Sequence, residues 1–217
     1  MVRSMTSADG YAKLRDAILS GRYLPNERLV EADLVRSLGV PRAAVRTAIV
    51  RLVSDGLVEH APNRGAKVRL VGEREAHEII ETRAVLEGFA AAKAADAARP
   101  ADVERLRAIV AEMSRRHAAG DLIGVSEGNA RLHAAILDLA GHPTTQRLVA
   151  SLNSQLVRYQ YRTILAPGRP EQSLAEHTAI VDAIAAGEGP AAETAMRTHL
   201  TNVGATLRRM PGAAHAA

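Results

Sequence analysis

The stretch Glu31-Ala-Asp-Leu34-Val-Arg36-Ser-Leu38-Gly39-Val40-Pro41-Arg42-Ala-Ala-Val45-Arg46 holds two helical periods with one glycine between them. Glycine takes the positive φ that a tight turn between helices requires. The spacing therefore predicts one helix over Glu31 to Leu38 and a second over Arg42 to Ser54. Leu34, Leu38, Val40, Val45 and Ile49 then pack together. That packing leaves Arg42 and Arg46, one helical turn apart, at the outward N-terminal end of the second helix. A helix presented in this way reads base edges in the major groove, and arginine is the side chain best suited to grip guanine O6 and N7 bidentately. The pattern predicts a helix-turn-helix that contacts double-stranded DNA through Arg42 and Arg46. Arg36 and Arg51 lie off the leading face and are read as surface charge.

Around this core, a further helix fits Tyr11 to Ser20. Downstream, short apolar pieces near Leu57 to His60 and Lys67 to Val71 flank Ala61-Pro62-Asn63-Arg64-Gly65, which reads as a two-stranded wing. Arg64 there offers a groove or phosphate contact, and Gly65 allows the wing backbone to approach DNA closely. Residues 1–71 hold 12 Lys and Arg against 7 Asp and Glu, whereas the remainder holds 16 against 17. A basic front and a near-neutral rear point to an N-terminal module facing a polyanion and a C-terminal module with another task. The boundary falls near Val71-Gly72, giving a DNA-binding domain over 1–71 and a second domain over 72–217.

The chain of 217 residues is long enough for two such domains, and 47% apolar with 24% charged residues is a globular composition. It has no cysteine, which removes disulfides, thiolate catalysis and Cys-based zinc sites. No run reaches the length of a membrane span, and Met1 to Gly10 lacks the apolar centre of a signal peptide, so a cytoplasmic protein with no membrane association is expected. Aromatic residues are only 2%, so the cores must be built from Leu, Ile, Val and Ala. From Glu73 onward, helical stretches are predicted at about 73–98, 101–118, 121–140, 143–165, 171–186 and 190–209. The breaks carry Pro100, Gly120, Gly141-His142-Pro143, Pro167-Gly168 with Pro170, and Gly187 with Gly189-Pro190. The expected fold is mainly α: a winged helix-turn-helix with a small two-stranded wing, then an antiparallel bundle of about six helices.

Three histidines of this second half lie on apolar helix stripes. Asn129, His133, Ile136 and Ala140 form one stripe, Leu174, His177, Val181 and Ile184 a second, and Ala192, Met196, His199 and Val203 a third. A lone histidine so placed is usually a satisfied core residue. Three converging from separate helices make a site for a divalent transition metal such as zinc, nickel or manganese, with the Asn129 oxygen one turn before the first. Neutral ligands leave the charge of such an ion uncompensated, which favours an anionic effector. Arg83, Arg131, Tyr159, Tyr161 and Arg162 are candidates for the cavity wall. His60, His77, His117, His142 and His215 fit no constellation and are expected on the surface.

Residues 11–70 resemble the N-terminal domain of the GntR superfamily of bacterial transcription regulators. The resemblance rests on Leu14, Ile18, Gly21, Pro25, Leu29, Glu31, Leu34, Leu38-Gly39-Val40, Arg42, Val45-Arg46, Leu52, Gly56-Leu57-Val58, Arg64-Gly65 and Val68. Asn26 stands where that family usually has Gly, Pro41 where Ser or Thr is usual, Ala44 where Pro is frequent, and Thr47 where Glu is common. Pro41 removes a hydroxyl that would cap the recognition helix. Residues 73–205 are similar to the FCD ligand-binding domain of the FadR-type branch. The matches are Arg83, Leu86-Glu87, Leu132-His133, Gly141-His142-Pro143, Glu176-His177, Ile180, Ala183-Ile184, Gly187, Ala195-Met196 and His199-Leu200. That resemblance implies that 72–217 is an effector-binding and dimerisation domain, with a helical cavity, a metal held by an Asp-x-x-x-His pair and two later histidines, and a small carboxylate as effector. Asn129 departs from the usual aspartate.

One recognition helix covers only a few base pairs, so a homodimer on a palindromic operator is expected. A metal-dependent hydrolase is the enzymatic alternative, since a three-histidine metal can activate water. Against it, acidic residues are scarce on the histidine stripes, and no general base is evident. A purely architectural DNA binder would leave the larger domain without a role.

Overall fold

A computed structural model describes residues 7–61, 65–156, 159 and 163–210. Arg64, Tyr161, Arg162 and His215 lie outside the described residues. The chain divides into two compact units, Met1–Val71 and Gly72–Ala217.

The first unit runs α1 (Ser7–Leu19), β1 (Arg28–Leu29), α2 (Glu31–Leu38), α3 (Arg42–Ser54), β2 (Val58–Ala61) and β3 (Gly65–Val68). Its core joins Leu14 and Ile18 of α1 to Leu34, Leu38, Val40, Val45, Ile49 and Leu52, with Val58 and Val68 closing the sheet side. All five side chains expected to pack across the turn are in this cluster. β2 and β3 pair antiparallel, Val58 opposite Val68 and His60 opposite Ala66, and form the wing. A third strand joins them: β1 pairs with β3 through Arg28 opposite Lys67, giving the order β1-β3-β2. Two residues are too short for an alternating pattern to show in a sequence.

The second unit is helical throughout its described elements: α4 (Glu73–Ala97), α5 (Pro100–Ala118), α6 (Leu122–Leu139), α7 (Pro143–Gln155), α8 (Arg169–Ala185) and α9 (Gly189–Arg209). α4 is the longest, and it packs on α6, α7, α8 and most extensively on α9. Close approach to α9 depends on small residues: a Cβ on Gly88 would stand 2.9 Å from Cγ of Arg197. The core is aliphatic, with Leu106, Met113, Leu132, Ile136, Ile180, Ile184, Met196 and Leu200 almost fully buried. α7 ends ten residues earlier than the 143–165 pattern suggests. Ser154 Oγ donates to the Ser151 carbonyl at 2.7 Å, and the Leu156 N–H turns back to Asn153. Helical conformation is taken up again at Tyr159 and over 163–164. Among the described residues no helix is long and apolar enough to cross a membrane.

Candidate DNA-reading surface and histidine centre

The turn between α2 and α3 is set by Gly39, which sits in the left-handed region at φ 63° and donates its N–H to the Val35 carbonyl. Lys13 of α1 reaches the Leu38 carbonyl at 3.0 Å, so the C-terminal end of α2 is fastened to α1. α3 begins after Pro41, which supplies no side-chain cap. In its first two turns Arg42 and Arg46 stand well exposed, with side-chain exposures of 68% and 66%. Both are held by one carboxylate. Glu31, the first residue of α2, accepts from Nε of Arg42 and Nε of Arg46, each at 3.0 Å. These hydrogen bonds, first from Arg42 and then from Arg46, hold the Glu31 carboxyl below the ordinary glutamate range. Because the bonds use Nε, the outer Nη nitrogens of both arginines have no acceptor among the described residues.

Arg51 lies over the Tyr11 ring, 4.0 Å from its centroid, while the Tyr11 hydroxyl donates to Asp55. Arg36 pairs with Asp33 within α2. Gly65, at the start of β3, is exposed with φ +80°, and a Cβ there would meet nothing within 4 Å. Backbone conformation alone therefore reserves that position for glycine.

In the helical unit the structure brings His133 of α6, His177 of α8 and His199 of α9 together. One ring nitrogen from each lies within 4.8 Å of the others. The side chains are 5%, 0% and 2% exposed. Ring centroids are 5.7 Å apart for His133 and His177, 5.2 Å for His133 and His199, and 4.5 Å for His177 and His199. Burial, and then the neighbouring histidines, push His177 well below the ordinary imidazole value; burial followed by His133 does the same to His199. Neutral imidazole is the ligand form.

Two of the rings are oriented by carboxylates. His133 Nδ1 is 2.5 Å from Glu87 Oε2, and Glu87 Oε1 accepts from Arg83 Nε at 2.7 Å. Burial alone would raise the Glu87 carboxyl, but the Arg83 charge and the His133 contact outweigh it and pull it down to about 2. His199 Nδ1 is 2.7 Å from Glu176 Oε2, which also accepts from Arg169 Nη2 at 2.8 Å. Asn202 donates to the other Glu176 oxygen. His133 and His199 thus each have Nδ1 engaged by a carboxylate, the arrangement by which carboxylates fix metal-binding histidines. Both nitrogens of His177 are buried without a hydrogen-bond partner.

This donor set fits a transition metal. A buried imidazole with neither nitrogen satisfied is costly unless something binds it.

Asn129 is half-buried on α6, one turn before His133. Arg83 is engaged by Glu87, and Tyr159 is buried in the same unit. Arg131 is exposed on α6 and is not carried into the interior with His133, which corrects its expected place on a cavity wall. A step of two residues turns a helical side chain away from its neighbour's face. The histidine stripes carry no acidic residue, yet two carboxylates reach the rings from positions off those stripes. Glu87 and Glu176 stand there, supplied from α4 and from the residue next to His177, and each is already occupied by a histidine and an arginine. Of the histidines expected on the surface, His77 is half-buried, and a Cβ on Gly204 would come within 3.0 Å of its ring. His142 is exposed and caps α7, its Nδ1 accepting from the Thr145 N–H.

A winged helix-turn-helix followed by an all-helical unit is the architecture of a DNA-binding regulator with a second, helical domain. Residues 6–68 match the pattern described as bacterial regulatory proteins, gntR family, and residues 78–202 match the FCD domain. The chain belongs to the GntR family of bacterial regulatory proteins and carries an FCD domain. It is 31% identical to an uncharacterized HTH-type transcriptional regulator in an unstable DNA locus of Streptomyces ambofaciens, over 93% of this chain and 85% of that one. It is 30% identical to the HTH-type transcriptional regulator LutR of Bacillus subtilis, over 86% and 94% respectively. Among solved structures it superposes on E. coli McbR/YncC with a TM-score of 0.77 at 22% identity, covering 94% of this chain and 98% of the other. These relatives are transcription regulators, not enzymes.

Proposed function

We propose that this regulator acts in the cytoplasm as a FadR-type homodimer whose binding to a palindromic operator is controlled by a small carboxylate effector at a metal centre. Arg42 and Arg46 read base edges, with Arg64 and Gly65 contributing from the wing. His133, His177 and His199 hold the ion, and Asn129 adds its amide oxygen directly or through a water. A divalent ion in this position supplies positive charge to which an anionic effector is drawn. The observation that carries the reading is the inward convergence of three buried histidines from three helices, two backed by carboxylates and the third wholly unsatisfied. Tyr159, buried in the same unit, contributes to the effector cavity.

The test is metal analysis after gentle purification, followed by titration with zinc, nickel and manganese. Wild type is expected to bind about one equivalent per chain, and His177→Ala is expected to lose most of the metal and the response of operator binding to added carboxylates. The unliganded variant should still bind operator. A wild-type chain that takes up no metal, with a His177→Ala variant that responds normally, would overturn the proposal. Light scattering and a footprint with two-fold symmetry check the dimer and the palindrome.

A further inference from the structure

Arg169, the first residue of α8, is only 4% exposed, yet it is charged. Nη2 is used by Glu176, and it also lies 3.5 Å from His199 Nδ1. Nη1 is buried with no hydrogen-bond partner, and no other arginine nitrogen among the described residues is left in that state. An unpartnered charged donor out of water is strongly unfavourable unless an acceptor completes it. A cleft of about 310 Å³ reaches this side chain, lined also by Leu165, Gln172, Thr206, Arg209 and Met210. Arg209 is exposed, so a second cation lines the same cleft.

The interior charge favours an anion here. Arg83 is balanced by Glu87, and Arg169 by a Glu176 carboxylate that His199 and Asn202 also share. An ion on the histidines adds positive charge with no carboxylate left over. We infer that Arg169 Nη1 is a recognition point for a carboxylate group of the effector, entering by the cleft beside Arg209. This rests on reading the helical unit as the effector-binding domain.

The geometry also links the anion to the histidines. Glu176 Oε2 is shared between Arg169 and His199. A carboxylate that neutralises Arg169 leaves Glu176 a stronger acceptor for His199 Nδ1–H, which raises the basicity of the opposite ring nitrogen and its affinity for metal. By reciprocity, metal must tighten the anion by the same factor.

Calorimetric titration with malonate, and separately with inorganic phosphate, tests this on chelator-treated and zinc-loaded full-length protein. In wild type, malonate is expected to bind weakly without zinc and at least tenfold more tightly with it, phosphate being much weaker in both states. Arg169→Lys keeps a cation for Glu176 but loses the second arm of the fork, and should lower malonate affinity at least tenfold in both states. Arg209→Glu, a surface change that leaves the interior intact, should weaken malonate several-fold. Malonate binding that depends on Arg169 in a protein that takes up no zinc would support the subsite while overturning the metal centre. Unchanged malonate affinity in zinc-loaded Arg169→Lys would overturn the subsite and leave the metal centre standing. Failure of wild type to bind malonate, or binding of phosphate alone, would also overturn it.

Discussion

Glu31 and Glu87 make the same kind of arrangement in opposite surroundings. Glu31 binds two arginines at the surface of the helix-turn-helix, and its side chain is 29% exposed. Glu87 binds an arginine and a histidine inside the helical unit, and its side chain is 1% exposed. At the surface, water competes for every partner, so the pairing can open when DNA offers phosphates and bases. In the interior each group has been stripped of water and depends on the others, so the arrangement is rigid and costly to break. The helix-turn-helix unit thus carries an exposed, adjustable charge cluster and the helical unit a buried, fixed one.

The largest effect expected from this contrast is at Glu87. Glu87→Gln removes a buried charge and leaves Arg83 without its counterion, which should destabilise the helical unit by about 3–5 kcal/mol. Urea denaturation of chelator-treated protein measures it. The pH dependence follows the same group. Its folded value of about 2 lies below the ordinary glutamate value of 4.5, so its stabilisation is complete above that ordinary value and is lost as pH falls from there through about 2. The variant should lack that part of the acid sensitivity. A loss below 1 kcal/mol would show that the buried cluster is no more rigid than the exposed one.

A smaller effect is expected at the arginines. Arg42→Ala or Arg46→Ala should each cost about 1–3 kcal/mol on the operator, and much less on random duplex, because a bidentate base contact is lost. Competition binding at fixed salt measures both. Equal losses on the two duplexes would mean that these side chains touch phosphate only.

The helix-turn-helix and the histidine centre were legible for a shared reason: both are periodic along single helices. Gly39 marks a turn by its own conformational demand, and histidine on an aliphatic stripe stands out against its neighbours. What did not show were partners brought from distant segments. Glu87 lies 46 residues from His133, and Glu176 is 23 residues from His199, so only packing reveals that they orient the rings. Arg169 was hidden by its setting. Pro167, Gly168 and Pro170 read as a linker with a helix from about 171, whereas α8 starts at Arg169 and buries it. The resemblance to a family pattern pointed to Glu87 and Glu176 as matches, yet their chemical part emerged only from distances.

The smallest effect, and the finest test of the contrast, concerns Glu31. Its carboxylate holds the Nε edges of Arg42 and Arg46 and so presets how both guanidinium groups face outward. Glu31→Gln keeps the size of the side chain but removes its charge, leaving the arginines freer and the DNA-facing surface one unit more positive. Freer arginines must be ordered on binding, which weakens the specific complex, while added positive charge strengthens binding to any duplex. Operator affinity is therefore expected to fall by a small factor at most, random-duplex affinity to rise, and the ratio between them to shrink by a few-fold. Measuring both affinities across a series of salt concentrations separates the two causes, since the electrostatic part grows as salt is lowered and the ordering part does not. An unchanged ratio at every salt concentration would show that Glu31 is merely a surface partner of the arginines and does not position them.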